Sequence, residues 1–222
     1  MRKPNLFVVG APRSGTTSFI IWLNEHPDIY FNLVREPLYF ADDIVKKKAI
    51  RNKKEYLNLF KKGKNKKYIG EKSVHYIYSK VAAKKIKKFN PDAKILIFVR
   101  KRGEMEKSYE KFRKGYEKFG NIKESVVKNI GNFKEGIKRF KKVFGRNLKI
   151  IKFEDLKDKP EETYNGVLDF LGLKHHKANF KIYNKQLKKG SRIVIMLNQF
   201  VPKRLKKLLP QKIRVMFREM LR

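Results

Sequence analysis

The stretch Gly10-Ala11-Pro12-Arg13-Ser14-Gly15-Thr16-Thr17-Ser18 has the glycine spacing of a phosphate-binding loop, with Gly10 and Gly15 at its two ends. Enzymes that hydrolyse nucleoside triphosphates on such a loop place a lysine directly after the second glycine. Thr16 occupies that position, so ordinary triphosphate hydrolysis is disfavoured. What is left is an anion cradle. Its parts are the backbone N–H groups of a helix start, the turn residues Ser14 and Gly15, the hydroxyls of Thr16, Thr17 and Ser18, and Arg13, whose guanidinium can fork onto a tetrahedral oxyanion. A second cation stands at Arg100, directly after the apolar run Ile95-Leu96-Ile97-Phe98-Val99. The carboxyl end of a parallel strand opens into the ligand crevice of an α/β sheet, which makes Arg100 a second candidate for an anionic ligand.

These residues must be positioned by a sheet. Leu6-Phe7-Val8-Val9, Lys94–Val99 and Leu148–Phe153 are apolar runs that fit parallel strands buried on both faces, with a shorter strand near Ile29-Tyr30-Phe31 and another in Tyr68–Ser73 that leads into a loop. Helices are expected at Thr16–Glu25, Ser79–Phe89, about 103–116, about 123–143, and from Pro160 to a stop at Gly172. The segment 42–67 reads as one exposed amphipathic helix followed by a basic loop around Gly63. Strands alternating with helices predict an α/β fold: one P-loop-like, three-layer domain over residues 1–193, with a central parallel sheet flanked by helices. Residues 194–222 read as basic amphipathic helices interrupted by Pro210, docked on the same domain or lying on an anionic membrane.

The 222 residues carry 57 Lys+Arg against 21 Asp+Glu, a formal net charge of +36. Such a balance fits polyanionic ligands: a nucleotide with phosphates at both ends, an anionic glycan or a lipid surface. There is no cysteine, which excludes disulfides and thiol catalysis. The N-terminus runs straight into the first strand without a signal peptide, and no apolar stretch approaches a bilayer span, so the expectation is a cytoplasmic protein, peripheral at the membrane if its tail binds there.

The cradle resembles the 5′-phosphosulfate loop of sulfotransferases that use 3′-phosphoadenosine 5′-phosphosulfate (PAPS), and three further segments carry the same resemblance in the same order. Arg100 and Ser108 match the strand-end arginine and helix serine that hold the 3′-phosphate in that family. Arg35-Glu36-Pro37-Leu38-Tyr39-Phe40 resembles the basic-Glu-Pro stretch of glycan sulfotransferases, which implies Glu36 as the base that deprotonates the acceptor; a partly buried carboxylate there is expected to be tuned towards neutral pKa. Gly70-Glu71-Lys72-Ser73 resembles the turn whose lysine lies near the transferring group, which implies that Lys72 stabilises charge on the bridging oxygen. Just beyond it, His75 is an alternative base. Lys188-Lys189-Gly190-Ser191-Arg192 resembles the late loop that closes over the 3′-phosphate, which adds Lys189 and Gly190 to the cofactor set. The resemblance spans about residues 6–173. It departs from the family at Lys101-Arg102-Gly103, where a proline is usual, and at Leu38, where several relatives carry histidine; the second departure argues against a heparan-like acceptor.

The resemblance implies sulfuryl transfer from PAPS to a hydroxyl or amine of a glycan, lipid or other acceptor, with adenosine 3′,5′-bisphosphate (PAP) as product. Fixed cations stand in for a metal ion, and no specific nucleic-acid partner is expected. Two other classes stay open at this level: a phosphotransferase with a modified loop, which needs a magnesium-binding carboxylate at a strand end, and a basic nucleic-acid-binding protein.

Overall fold

The computed structural model describes residues 2–33, 36–47, 50, 52–114 and 122–182. The apolar runs form five strands, β1 (Leu6–Gly10), β2 (Ile29–Phe31), β3 (Tyr68–Lys72), β4 (Lys94–Val99) and β5 (Leu148–Lys152). They pair in parallel in the order β2-β3-β1-β4-β5. Every residue of the central β1 is buried, as a strand covered on both faces requires.

Helices α1 (Thr16–Glu25), α2 (Lys53–Asn58), α3 (Ala82–Phe89), α4 (Arg102–Lys114), α5 (Glu124–Lys128), α6 (Lys134–Phe144), α7 (Phe153–Asp158) and α8 (Pro160–Leu171) connect and cover the strands. Strand alternation sorts the core. Phe7 and Val9 of β1 join Ile95 and Ile97 of β4 in one cluster with Tyr56 of α2, Ile86 of α3 and Phe140 of α6. On the other face, Phe98 meets Phe19 of α1 with ring centroids 5.1 Å apart, and Phe19 meets Tyr164 of α8 at 6.2 Å. The result is the expected three-layer α/β arrangement. The compact unit of residues 1–181 holds all these elements; of a second unit, 182–222, only Ile182 is among the described residues.

Several boundaries differ from the sequence expectation. Among its described residues the 42–67 segment holds the six-residue α2, anchored by Asn52, whose side chain accepts from the Glu55 N–H, and a 3₁₀ turn at Lys61–Gly63, and it buries Tyr56, Leu57 and Phe60. Those aromatics pack inward, so the segment is a core cover and not an exposed helix. The helix expected at 123–143 is two helices, broken over Asn129–Phe133, where Gly131 lies against Glu106 and Arg102 of α4. The helix expected from Ser79 begins at Ala82. Ser79, two residues before the N-cap Val81, accepts at Oγ from the Ala82 N–H at 2.9 Å and so satisfies the first N–H of the helix. Helix α7 was not anticipated. Helix α8 starts at Pro160 and stops at Gly172, whose φ of 62° is left-handed, as expected.

Candidate active site

The first group of expected site residues gathers where β1 gives way to α1. Gly15 is the N-cap residue of α1 with φ 79°, and a Cβ there would stand 2.5 Å from Leu156 of α7. Only glycine supplies both the left-handed turn and the close approach. No side chain caps α1 and its first turn contains no acid, so the opening N–H groups face the loop without an intrahelical acceptor. Ser14, Thr16 and Ser18 are buried and Thr17 is half-buried. Arg13 sits at φ 60°, donates from Nε to Ser108 Oγ at 3.2 Å, and lies over the Phe112 ring at 4.9 Å. Arg100 donates from Nη1 to the Arg13 carbonyl at 3.4 Å and pairs with Glu104 at 3.0 Å. Its guanidinium stacks on Phe153 at 4.3 Å. Loop arginine, strand-end arginine and helix serine are therefore one cluster around an uncapped helix N-terminus. That is a cationic, donor-rich surface, and it fits a ligand with two separate phosphate-like groups.

The second group lies at the end of β3. Lys72 Nζ is 2.9 Å from Glu36 Oε1, His75 Nδ1 is 3.7 Å from Glu36 Oε2, and the Val74 N–H donates to Glu36 Oε2 at 3.1 Å. Burial alone would raise the Glu36 carboxyl; the Lys72 ammonium and then His75 outweigh it and hold the group at about 2. The near-neutral tuning expected for Glu36 is thus not what the fold provides. The pairing with Lys72 keeps it a carboxylate, ready to accept a proton but weakly basic while that pair persists. His75 Nε2 lies 3.3 Å from the Tyr109 hydroxyl. Tyr109 follows Ser108 on α4, so one helix touches both groups.

The structure brings together Arg13, Ser14, Gly15, Thr16, Thr17, Ser18, Arg100 and Ser108 in one cluster, and Glu36, Lys72 and His75 in another. Lys189, Gly190 and Arg35 lie outside the described residues, as do the tail helices expected beyond 194. Five contributors were not foreseen: Phe112 against Arg13, Glu104 and Phe153 against Arg100, Tyr109 against His75, and the buried Glu71, which precedes Lys72 on β3. Glu104 had a signal, its i,i+4 spacing from Arg100. Among the described residues no group of three or more His, Asp or Glu could hold a metal ion, and no helix is long and apolar enough to cross a membrane.

Comparison with known proteins adds the following. A family model described as the sulfotransferase family matches residues 48–177. The match begins after the cradle and Glu36 and does not bear on those residues. Among solved structures, a sulfotransferase from Alicyclobacillus acidocaldarius is 23% identical, covering 96% of this chain and 100% of its own, with a TM-score of 0.72. The sulfotransferase domain of the Synechococcus PCC 7002 olefin synthase is 16% identical over 94% of this chain and 81% of its own, at 0.55. A mouse sulfotransferase complexed with PAP is 14% identical over 89% of this chain and 64% of its own, at 0.51. At such identities these are likenesses of fold. No curated protein sequence matches.

Proposed function

This chain belongs to the sulfotransferase family, and on that premise we propose that it moves a sulfuryl group from PAPS to a hydroxyl or amine of an acceptor, a glycan or lipid fitting its charge. The observation that carries this reading is the convergence of Arg13, Arg100 and Ser108 at the uncapped start of α1, together with a carboxylate–ammonium pair between Glu36 and Lys72 at the end of β3, whose neighbour His75 meets Tyr109, the residue after Ser108. When bound, PAPS supplies the activated sulfuryl group. Arg13, Thr16, Thr17, Ser18 and the first N–H groups of α1 hold its 5′ end, and Arg100 with Ser108 holds its 3′-phosphate. Lys189 and Gly190 belong to the same set.

In this reading the chain's own groups divide the work. Glu36 accepts the proton that the attacking hydroxyl or amine must lose, with His75 as the second candidate. Lys72, already 2.9 Å from Glu36, sets a cation where negative charge develops on the departing oxygen. Fixed cations take the place of a metal, because a sulfuryl group carries less charge than a phosphoryl group. The protein acts in the cytoplasm, and its basic tail is the candidate contact with an anionic membrane.

A thermal-shift comparison tests the class of reaction. Stabilisation by PAP without magnesium is expected. A response only to ATP with magnesium would move the protein to phosphotransferases, and a response only to oligonucleotides to nucleic-acid binding.

A further inference from the structure

Three consecutive residues of the Glu36 loop are each held by a different side chain, and all three of those side chains bond one buried carboxylate, that of Glu71. Ser73 Oγ accepts from the Leu38 N–H at 3.0 Å and donates to Glu71 Oε1 at 2.8 Å. The Tyr56 ring stacks on Tyr39 with centroids 4.4 Å apart, while its hydroxyl donates to Glu71 Oε2. The Tyr76 hydroxyl accepts from the Phe40 N–H at 3.2 Å and is also hydrogen-bonded to Glu71. Leu38 has φ 52°, a left-handed conformation that a branched residue keeps only where its surroundings enforce it. Glu71, Tyr56, Ser73 and Tyr76 are all at most 1% exposed.

Resting on the sulfuryl-transfer reading, we infer that Glu71 is a positioning residue: its carboxylate fixes the 36–40 loop so that Glu36 stands between Lys72 and His75. The hydroxyls of the three residues that hold the loop converge on this one carboxylate, and replacing the acid by an amide sets an N–H₂ against at least one hydroxyl that now donates. The electrostatics agree. Burial, opposed by the three donors and reinforced by the charge of Glu36, pushes the Glu71 carboxyl up to about 7. Stability alone is poorly served by two acids that repel each other, one of them fully buried. Their arrangement is explained by what the second one holds in place.

The test uses the whole protein and three variants, Glu71→Gln, Tyr76→Phe and Tyr164→Phe, the last a buried hydroxyl on α8 remote from the loop. Carboxyl-carbon NMR at pH ~8, where Glu71 is charged in the parent, follows the surroundings of Glu36, amide exchange follows Leu38 and Phe40, and calorimetry with PAP follows the cradle. In Glu71→Gln the Glu36 carboxyl resonance should move from its parent position, because Lys72 and His75 no longer face it at fixed distance. Exchange at Leu38 and Phe40 should rise about tenfold or more, PAP affinity should stay within about twofold, and Tyr164→Phe should change none of these. Tyr76→Phe, which removes one donor and the acceptor for Phe40, should move the same readouts in the same direction, and it decides the matter if Glu71→Gln does not fold. An unchanged Glu36 resonance and unchanged amide exchange in a folded variant would overturn the inference. Absence of PAP binding by the parent would instead sink the sulfuryl-transfer reading, and the loop measurements would still decide the role of Glu71.

Discussion

Replacing Lys72 by methionine tests the Glu36–Lys72 pair at its physical root. The two side chains are 19% and 24% exposed and 2.9 Å apart, well enough shielded for their attraction to survive salt. Glu36 falls from the ordinary 4.5 to about 2 in the fold; at about 1.4 kcal/mol per tenfold change in proton affinity, that is worth roughly 3 kcal/mol of stability. Because the folded-state value is depressed, this contribution is present above the ordinary carboxylate range and is lost as pH falls towards 2. Removing Lys72 leaves burial opposed only by His75 and the Val74 N–H. Lys72→Met should therefore cost about 2–3 kcal/mol near pH 7, and the gap from the parent should shrink to roughly half of that or less by pH ~3, closing fully only below the folded-state value of about 2. Urea denaturation at the two pH values, read by fluorescence of the single tryptophan, buried Trp22, measures it. A loss that is the same at both pH values, or a variant as stable as the parent at pH 7, would refute the electrostatic account of the pair.

Glu36→Gln should lower sulfuryl transfer from labelled PAPS by on the order of 10²–10⁴-fold and leave PAP affinity intact, whereas His75→Ala should cost much less; the reverse order in steady-state rates would move the base to His75. Gly15→Ala puts a Cβ 2.5 Å from Leu156 at φ 79°, so it should destabilise by about 1–3 kcal/mol and weaken PAP binding, both visible in denaturation and calorimetry. Phe153→Ala removes the ring under Arg100 and should weaken PAP binding by roughly 0.5–2 kcal/mol without unfolding the protein, as seen by calorimetry and circular dichroism.

The sheet was legible because each buried strand is a short apolar run, and the cradle because glycine spacing and hydroxyls sit within nine consecutive residues. Pairings between distant segments were not. Arg13 meets Ser108 across 95 positions and Val74 donates to Glu36 across 38, and no local pattern announces either contact. The wrong expectation for the Glu36 pKa has the same origin: partial burial can be guessed from the sequence, but the ammonium 2.9 Å away cannot. The 42–67 segment misled because its lysines suggested solvent while Tyr56 and Phe60, spaced one turn apart, face the core. Glu71 lay inside a segment that matched the family, yet its role depends on Tyr56, Ser73 and Tyr76 meeting in space.

Calorimetric titration of PAP into the parent protein, Arg13→Ala and Arg100→Ala, all without divalent metal, tests the central claim most directly. The account predicts a clear binding isotherm for the parent and a loss of roughly 1.5–3 kcal/mol in each variant, about ten- to over a hundredfold in affinity, with folding unchanged. A parent that releases no heat with PAP, or arginine variants that bind it as the parent does, would contradict it.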